Sequence, residues 1–103
     1  MILHEVRLSV DHGIAADYRS WLESHIHDML ALPGFEYAEL LREQGDESRA
    51  VFVAHYWMRD RDALEVYLRD HAAGMRADGL RRFGNQFSAE RRVLELERRI
   101  GMP

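Results

Sequence analysis

The sequence contains no cysteine and no lysine, and only two of its 103 residues are proline. Without cysteine the chain cannot carry a disulfide framework, a thiolate zinc site, an iron–sulfur cluster or a cysteine nucleophile. Without lysine it cannot form a Schiff base with a carbonyl substrate or with pyridoxal phosphate. All 14 basic residues are therefore arginine, and the net charge of −4 disfavours nucleic acid as a partner.

Motifs of several other protein classes are also missing. No stretch approaches the roughly 20 consecutive apolar residues of a transmembrane helix, and the N-terminal residues lack the basic start and apolar run of a signal peptide. We therefore expect a cytoplasmic protein without a membrane partner. The absence of a glycine-rich phosphate loop and of a Gly-x-Ser-x-Gly elbow disfavours nucleotide-dependent and serine-hydrolase chemistry.

The remaining composition is typical of one folded domain. Apolar residues make up 47% of the chain and charged residues 31%, while 10% are aromatic, so enough surface can be buried to offset the entropy of the chain. No linker or low-complexity segment divides the sequence. We therefore expect a single domain over residues 1–97 and a short tail over residues 98–103.

Hydrophobic periodicity predicts four strands and two helices. Strict alternation over residues 2–10 indicates a half-buried strand, and further strands are expected over 35–43, 49–58 and 87–96, with a hairpin loop at Gly45-Asp46-Glu47-Ser48. Helical spacing over 14–32 predicts a helix that ends at Pro33-Gly34. Asp60 or Asp62 caps a second helix that reaches Asp78 or slightly beyond, before Gly79 and Gly84 break it.

The element order β-α-β-β-α-β predicts a ferredoxin-like α+β fold. Right-handed crossovers turn this order into a four-stranded antiparallel sheet with both helices on one face. The other face, called the open face below, stays bare and carries apolar residues that need a cover. The simplest cover is the same face of a second copy, so the predicted assembly is a homodimer.

The two predicted helices carry the same pattern at a constant offset of 46 residues. The first contains Trp21-Leu22-x-x-His25-x-x-x-Met29 and the second contains Tyr67-Leu68-x-x-His71-x-x-x-Met75. Such an offset suits a fold with two related halves, and it also predicts which face each strand residue occupies. Val6, Leu8 and Val10, with Phe52, Ala54 and Tyr56, should face the helices. Glu5, Arg7 and Ser9, with Val51, Val53, His55 and Trp57, should lie on the open face.

Two segments resemble the dimeric α/β-barrel superfamily. The sequence YWMRDRDALEVYL at 56–68 is similar to its strand-to-helix segment, and LPGF at 32–35, followed by Ala38 and Leu40, is similar to the entry to its second strand. This superfamily includes antibiotic-monooxygenase-like and muconolactone-isomerase-like proteins. Over roughly residues 1–96 the chain most resembles a set of small bacterial proteins classed only as a domain of unknown function. The resemblance implies the fold and a dimeric barrel, and it leaves the function open.

Histidines on the two helices allow two interpretations. His25 and His71 lie near the centres of the apolar arcs and should point at the sheet, where His4 faces the same layer. They are either buried, hydrogen-bonded core residues that bind no metal, or part of a pocket between helices and sheet that takes a metal, haem or an acidic ligand. Haem-degrading members of the resembling superfamily place a histidine further along the second helix. The matching stretch here is near Asp78, so that role does not carry over.

The open face offers a second candidate site. Glu5, Arg7, His55 and Trp57 fall on it, and Arg91 is expected to join them while Arg92 points the other way. The group is either a dimer interface with internal ion pairs or a cleft for a small aromatic or anionic molecule. In such a cleft Arg7 or Arg91 would hold an oxyanion, and His55 or Glu5 would move a proton.

These observations favour an uncharacterised homodimer that binds a small ligand and is either non-catalytic or of unknown activity. The alternative is a cofactor-free oxygenase, isomerase or decarboxylase that acts on a small aromatic compound between the sheets. Whether the protein is an enzyme stays open, and no cofactor or metal is expected. Arg7 is placed near Trp57 on a neighbouring strand taken as parallel, so Trp57 rather than Trp21 is expected to report ligand binding.

Overall fold

The computed structural model describes residues 1–45 and 48–101. Within these residues it contains four β-strands and three α-helices, which are β1 (Ile2–Val10), α1 (Ala15–Leu30), β2 (Phe35–Arg42), β3 (Ala50–Met58), α2 (Arg61–Asp70), α3 (Ala72–Phe83) and β4 (Phe87–Glu95). A short 3-10 helix, His12–Ile14, precedes α1. The strands form one antiparallel sheet in the order β2-β3-β1-β4. The predicted ferredoxin-like α+β fold is confirmed.

Alternation along the two central strands sets the two faces of the sheet. The residues predicted to face the helices all belong to one buried core that also includes side chains of α1 and α2; they are Val6, Leu8, Val10, Phe52, Ala54 and Tyr56. Most residues of the opposite parity are only half-buried, although Val51 is buried. α1 and α2 begin at Ala15 and Arg61, which are 61 − 15 = 46 residues apart. The helix starts therefore agree with the repeat offset seen in the sequence.

The pairing of β1 with β3 corrects one expectation. The two strands are antiparallel, so Arg7 lies opposite Val53, whereas Trp57 lies opposite Leu3. A strand rises about 3.3 Å per residue, and four residues therefore separate Arg7 from Trp57 by roughly 13 Å along the strand. The two side chains share the open face but do not form one pocket.

The second predicted helix is in fact two helices. The Asp60 side chain caps α2 by accepting a hydrogen bond from the backbone N–H of Ala63 at 2.9 Å. α2 ends at Asp70, and the backbone of His71 leaves the helical region at φ −127° and ψ −30°. α3 then continues through Gly79 and ends at Phe83, and the residue that caps it, Gly84, has φ +56°. The expected break at Gly79 is wrong, because a glycine inside a helix lowers stability without ending the helix when a neighbour packs against it.

The turn between α1 and β2 requires a glycine. Gly34 has φ +85°, and a Cβ at this position would collide with the Cβ of Ala63 in the first turn of α2. The Gly34 carbonyl accepts a hydrogen bond from the backbone N–H of Arg59 at 2.8 Å. The end of α1 and the start of α2 are thus held together through this turn.

Two predicted features reach beyond the described part of the chain. The centre of the expected hairpin loop, Asp46 and Glu47, lies outside the described residues, as do Met102 and Pro103 of the tail. No helix that the structure describes is long and apolar enough to cross a membrane.

Candidate functional site

A cavity of about 280 Å³ lies between the helices and the sheet. Residues of β1, β3 and β4 form its floor, and α1, α2 and α3 form its walls. Aromatic and aliphatic side chains dominate the lining, and they include Val6, Leu8, Tyr18, Trp21, Leu22, Met29, Tyr56, Tyr67, Met75, Leu80 and Phe87. We call this space the helix-side cavity.

The aromatic residues of the helix-side cavity hold one another in place. The ring of Tyr18 lies 5.4 Å from that of Trp21, 4.9 Å from that of Phe83 and 5.1 Å from that of Phe87. The indole N–H of Trp21 donates to Asp78 at 2.7 Å. These contacts fix the orientation of the indole, so the cavity has a firm aromatic wall.

Two arginines also line the helix-side cavity. Arg76 extends from α3 and Arg91 from β4. Among the described residues neither forms an ion pair with a carboxylate, and the Nε of Arg76 is buried without a hydrogen-bond partner. Burial, and after it the positive charge of Arg76, lowers the pKa of the Arg91 guanidinium. The cavity therefore combines apolar walls with uncompensated positive charge.

The position of Arg91 corrects the expectation that it lies on the open face. Arg91 pairs with Val6 across the β1–β4 ladder, and directly opposite residues of an antiparallel pair point to the same face. Because Val6 faces the helices, Arg91 does so too. Its neighbour Arg92 occupies the open face instead and donates to Glu5 at 2.6 Å.

The three histidines of the helix-side alternative lie in different places. His25 lines the helix-side cavity and stacks on Trp21, with ring centroids 4.7 Å apart. Burial lowers the pKa of His25, despite the nearby carboxylates of Asp28 and Asp78. His71 lies half-buried at the junction of α2 and α3 and is not part of the cavity lining described here.

His4 is the most deeply buried of the three histidines and is only 2% exposed. It lies against Tyr56 and Tyr67, at centroid distances of 6.1 and 5.7 Å. Neither of its ring nitrogens has a hydrogen-bond partner in the described structure. The predicted buried and hydrogen-bonded pair, His25 and His71, is thus only half-buried, while the buried imidazole is that of His4.

The open-face candidates form an ion-pair network. His55 Nε2 lies 2.8 Å from Glu5, so the two predicted proton-transfer residues do meet. Arg92, and after it His55, hold the pKa of Glu5 below its usual value through hydrogen bonds. Arg7 binds Glu43 through two hydrogen bonds of 2.9 and 2.7 Å. The network leaves Arg7 engaged by a carboxylate rather than open to a ligand.

Trp57 lies at the far end of the open face. Its indole N–H donates to Glu39 at 2.9 Å, and its ring stacks with Tyr37 at a centroid distance of 6.0 Å. Arg99, in the predicted tail, lies 5.9 Å from the Trp57 ring and donates to the Tyr37 hydroxyl at 3.0 Å. The tail therefore covers part of this aromatic pair.

The family model of a domain of unknown function, DUF4286, matches residues 1–97. The chain belongs to this family. No curated protein matches the sequence. The resemblance to a family classed only as a domain of unknown function, inferred from the sequence, is thus confirmed.

Solved structures with the same fold extend the comparison of this DUF4286 protein. It is similar to a provisionally assigned antibiotic biosynthesis monooxygenase from Deinococcus radiodurans, with 14% identity and a TM-score of 0.78 over 100% of this chain and 99% of that one. It is similar to SnoaB, a cofactor-independent oxygenase from Streptomyces nogalater, with 22% identity and a TM-score of 0.68 over 98% of each chain. It is also similar to the haem-degrader MhuD from Mycobacterium tuberculosis, solved with two haems in its active site, with 20% identity and a TM-score of 0.70 over 98% of this chain and 100% of that one. At these identities the likeness shows the fold alone.

The helix-side cavity of the DUF4286 protein is small compared with haem. Its volume of about 280 Å³ lies below the roughly 300–1,000 Å³ of pockets for drug-sized ligands, and a tetrapyrrole is larger still. The Asp78 carboxylate accepts hydrogen bonds from the Trp21 indole and from Arg81. No group of three or more potential metal ligands occurs among the described residues.

Proposed function

We propose that this DUF4286 protein binds a small aromatic compound in the helix-side cavity. The observation that carries the proposal is the cavity itself, about 280 Å³ of space walled by Tyr18, Trp21, Tyr56 and Tyr67. A concave, mostly apolar space with a few convergent polar groups is the usual form of a small-molecule site. Aromatic rings of the lining favour a flat, aromatic ligand, because offset or edge contacts between rings add to simple burial.

The two tryptophans provide a direct test of the proposed site. Trp21 lies in the wall of the helix-side cavity, whereas Trp57 lies on the opposite face of the sheet. In a two-dimensional ¹H–¹⁵N NMR titration with 2-naphthoate and 2-naphthamide, we expect the indole resonance of Trp21 to move and that of Trp57 to stay. Trp21→Phe and Trp57→Phe assign the two resonances. A ligand that shifts only the Trp57 resonance would place the site on the open face instead.

We propose in addition that two copies pack through their open faces. Tyr37, Leu41 and Leu94 are 39%, 43% and 38% exposed there, beside the half-buried Val53 and Trp57. A second copy covers this surface, in agreement with the dimeric barrel that the superfamily resemblance implies, and aromatic residues are common at the centres of such interfaces.

The assembly is tested by sedimentation equilibrium at micromolar concentration. Val53→Asp places an unpaired charge in the proposed interface and should turn a dimer into a monomer, since burying such a charge costs several kcal/mol. Leu68→Asp is the matched control, because Leu68 is exposed on the helical side and should leave the dimer intact. A parent protein that sediments as a 12.1 kDa monomer would refute the proposal.

A second candidate function is a cofactor-independent oxygenase, isomerase or decarboxylase, and His25 supports it. The imidazole lines the cavity, and burial lowers its pKa from 6.5, so it is mostly neutral at neutral pH and can accept a proton. An oxygen electrode with 1-naphthol as substrate tests the oxygenase. His25→Gln should lower the rate by roughly 10²-fold or more, and the exposed His27→Gln should leave it unchanged. The absence of oxygen uptake by the parent protein would contradict the oxygenase activity.

A further inference from the structure

Two guanidinium groups share the helix-side cavity without a counter-charge. Arg76 and Arg91 both line it, and neither forms an ion pair with a carboxylate of the described residues. Arg76 is half-buried and Arg91 is exposed. Their like charges repel each other, and an anion placed between them relieves the repulsion. Arg92, one residue along β4, shows the contrast, because it has Glu5 as its partner on the open face.

Arg76 also has an unused donor. Its Nε is buried and lacks a hydrogen-bond partner, although the guanidinium interacts with the hydroxyl of Tyr67. Buried donors in native proteins are nearly always paired, and leaving one unpaired is costly. An oxygen atom of a bound ligand is a partner of the required kind.

The cavity lining offers several hydrogen-bond donors, and its two charged side chains, Arg76 and Arg91, are both basic. Burial raises the pKa values of Tyr18, Tyr56 and Tyr67, so their hydroxyls stay protonated at neutral pH. None of the lining residues that the structure describes carries a carboxylate. An amine or another cation would meet like charge here and find no anionic partner, whereas an acid finds several donors.

We propose that the ligand is an aromatic acid whose carboxylate is held by Arg76 and Arg91 while its ring lies against Trp21. This inference rests on the proposed function and adds the chemical class of the ligand. Guanidinium groups are suited to this task, since each can present two parallel N–H donors to the two oxygens of a carboxylate.

Isothermal titration calorimetry with the matched pair 2-naphthoate and 2-naphthamide tests the proposal. The two compounds share the ring system and differ in the acidic group, so their affinity ratio reports recognition of the charge. We expect the parent protein to bind the acid roughly 10- to 100-fold more tightly than the amide, as charge-assisted hydrogen bonds predict. Arg91→Gln should remove most of this preference, so that the acid and the amide bind the variant with affinities that differ by less than about threefold.

Arg92→Gln is the matched control, because it removes a neighbouring positive charge on the other face of the same strand. It should change the preference for the acid by less than about twofold. Arg76→Gln provides a second variant inside the cavity, and an unchanged indole resonance of Trp57, on the opposite face of the sheet, shows that it is folded. Equal affinities of the parent for acid and amide would overturn the inference but not the proposed function. Failure of both compounds to bind would overturn the proposed function and the inference with it.

Discussion

The buried imidazole of His4 should make the folded protein sensitive to acid. His4 is 2% exposed, it contacts the rings of Tyr56 and Tyr67, and neither nitrogen has a partner in the described structure. Burial, and to a lesser degree the charges of Arg76 and Arg91, lower the pKa of His4 from 6.5 to about 4. The folded chain therefore keeps this imidazole neutral at pH values where an unfolded chain protonates it.

The sign and size of the effect follow from this difference. Between pH 6.5 and about 4 the unfolded state binds one more proton at this site, so the free energy of unfolding falls as the pH is lowered through that range. The stability that depends on a neutral His4 imidazole is fully present above pH 6.5 and is lost by about pH 4. A pKa difference of about 2.5, at about 1.36 kcal/mol per unit, corresponds to a loss of about 3 kcal/mol.

Urea unfolding of the parent and of His4→Phe at several pH values between 4 and 8 measures this loss. The phenyl ring fills the site and cannot titrate, so the variant should gain stability relative to the parent by about 3 kcal/mol as the pH falls from 7 to 4. Carboxylates titrate in both proteins, and their effects cancel in the difference. The exposed His27→Gln is the control. Because it retains His4, it should lose stability at low pH as the parent does. A difference between parent and His4→Phe that stays constant with pH would refute the description of His4 as a buried, neutral group.

Substitutions at Gly79, Gly74 and Asp60 test the packing around the helix-side cavity and the start of α2. A Cβ at Gly79 would lie 2.9 Å from the indole of Trp21, so Gly79→Ala should destabilise the fold by about 1–3 kcal/mol in thermal unfolding. A Cβ at Gly74 would meet nothing within 4 Å, so Gly74→Ala should instead stabilise the fold by about 0.4–1 kcal/mol. Asp60→Ala removes the cap that accepts from the N–H of Ala63 and should cost about 1 kcal/mol, whereas Asp60→Asn should retain most of the stability.

The face of the sheet that each strand residue occupies was predictable from the sequence. Apolar residues recur at every second position of a strand, and burial recurs with the same period. Val6 and Val10 on β1 and Phe52 on β3 are apolar at every second position, and all three are buried against the helices. The break at His71 was not predictable, since the helical pattern runs through this residue and its backbone N–H still bonds the carbonyl of Tyr67. Local spacing indicates a helix, but it does not indicate an interruption by one residue with non-helical backbone angles.

The candidate site was only partly predictable. Alternation along β4 correctly grouped Arg91 with Phe87 and Ala89, but two adjacent arginines carry no hydrophobic signal that says which of them faces the helices. Only the pairing of Arg91 with Val6 decides this. The sequence left two candidate sites, one between the helices and the sheet and one on the open face. It could not decide between them, because the volume of the cavity depends on the distance between α3 and the sheet, and no pattern in the sequence encodes that distance.

A crystal structure of the protein grown with 2-naphthoate tests the central claim most directly. We expect the naphthalene ring in the helix-side cavity against Trp21, with its carboxylate on Arg76 and Arg91. A ligand found instead on the open face, beside His55 and Trp57, would contradict the account.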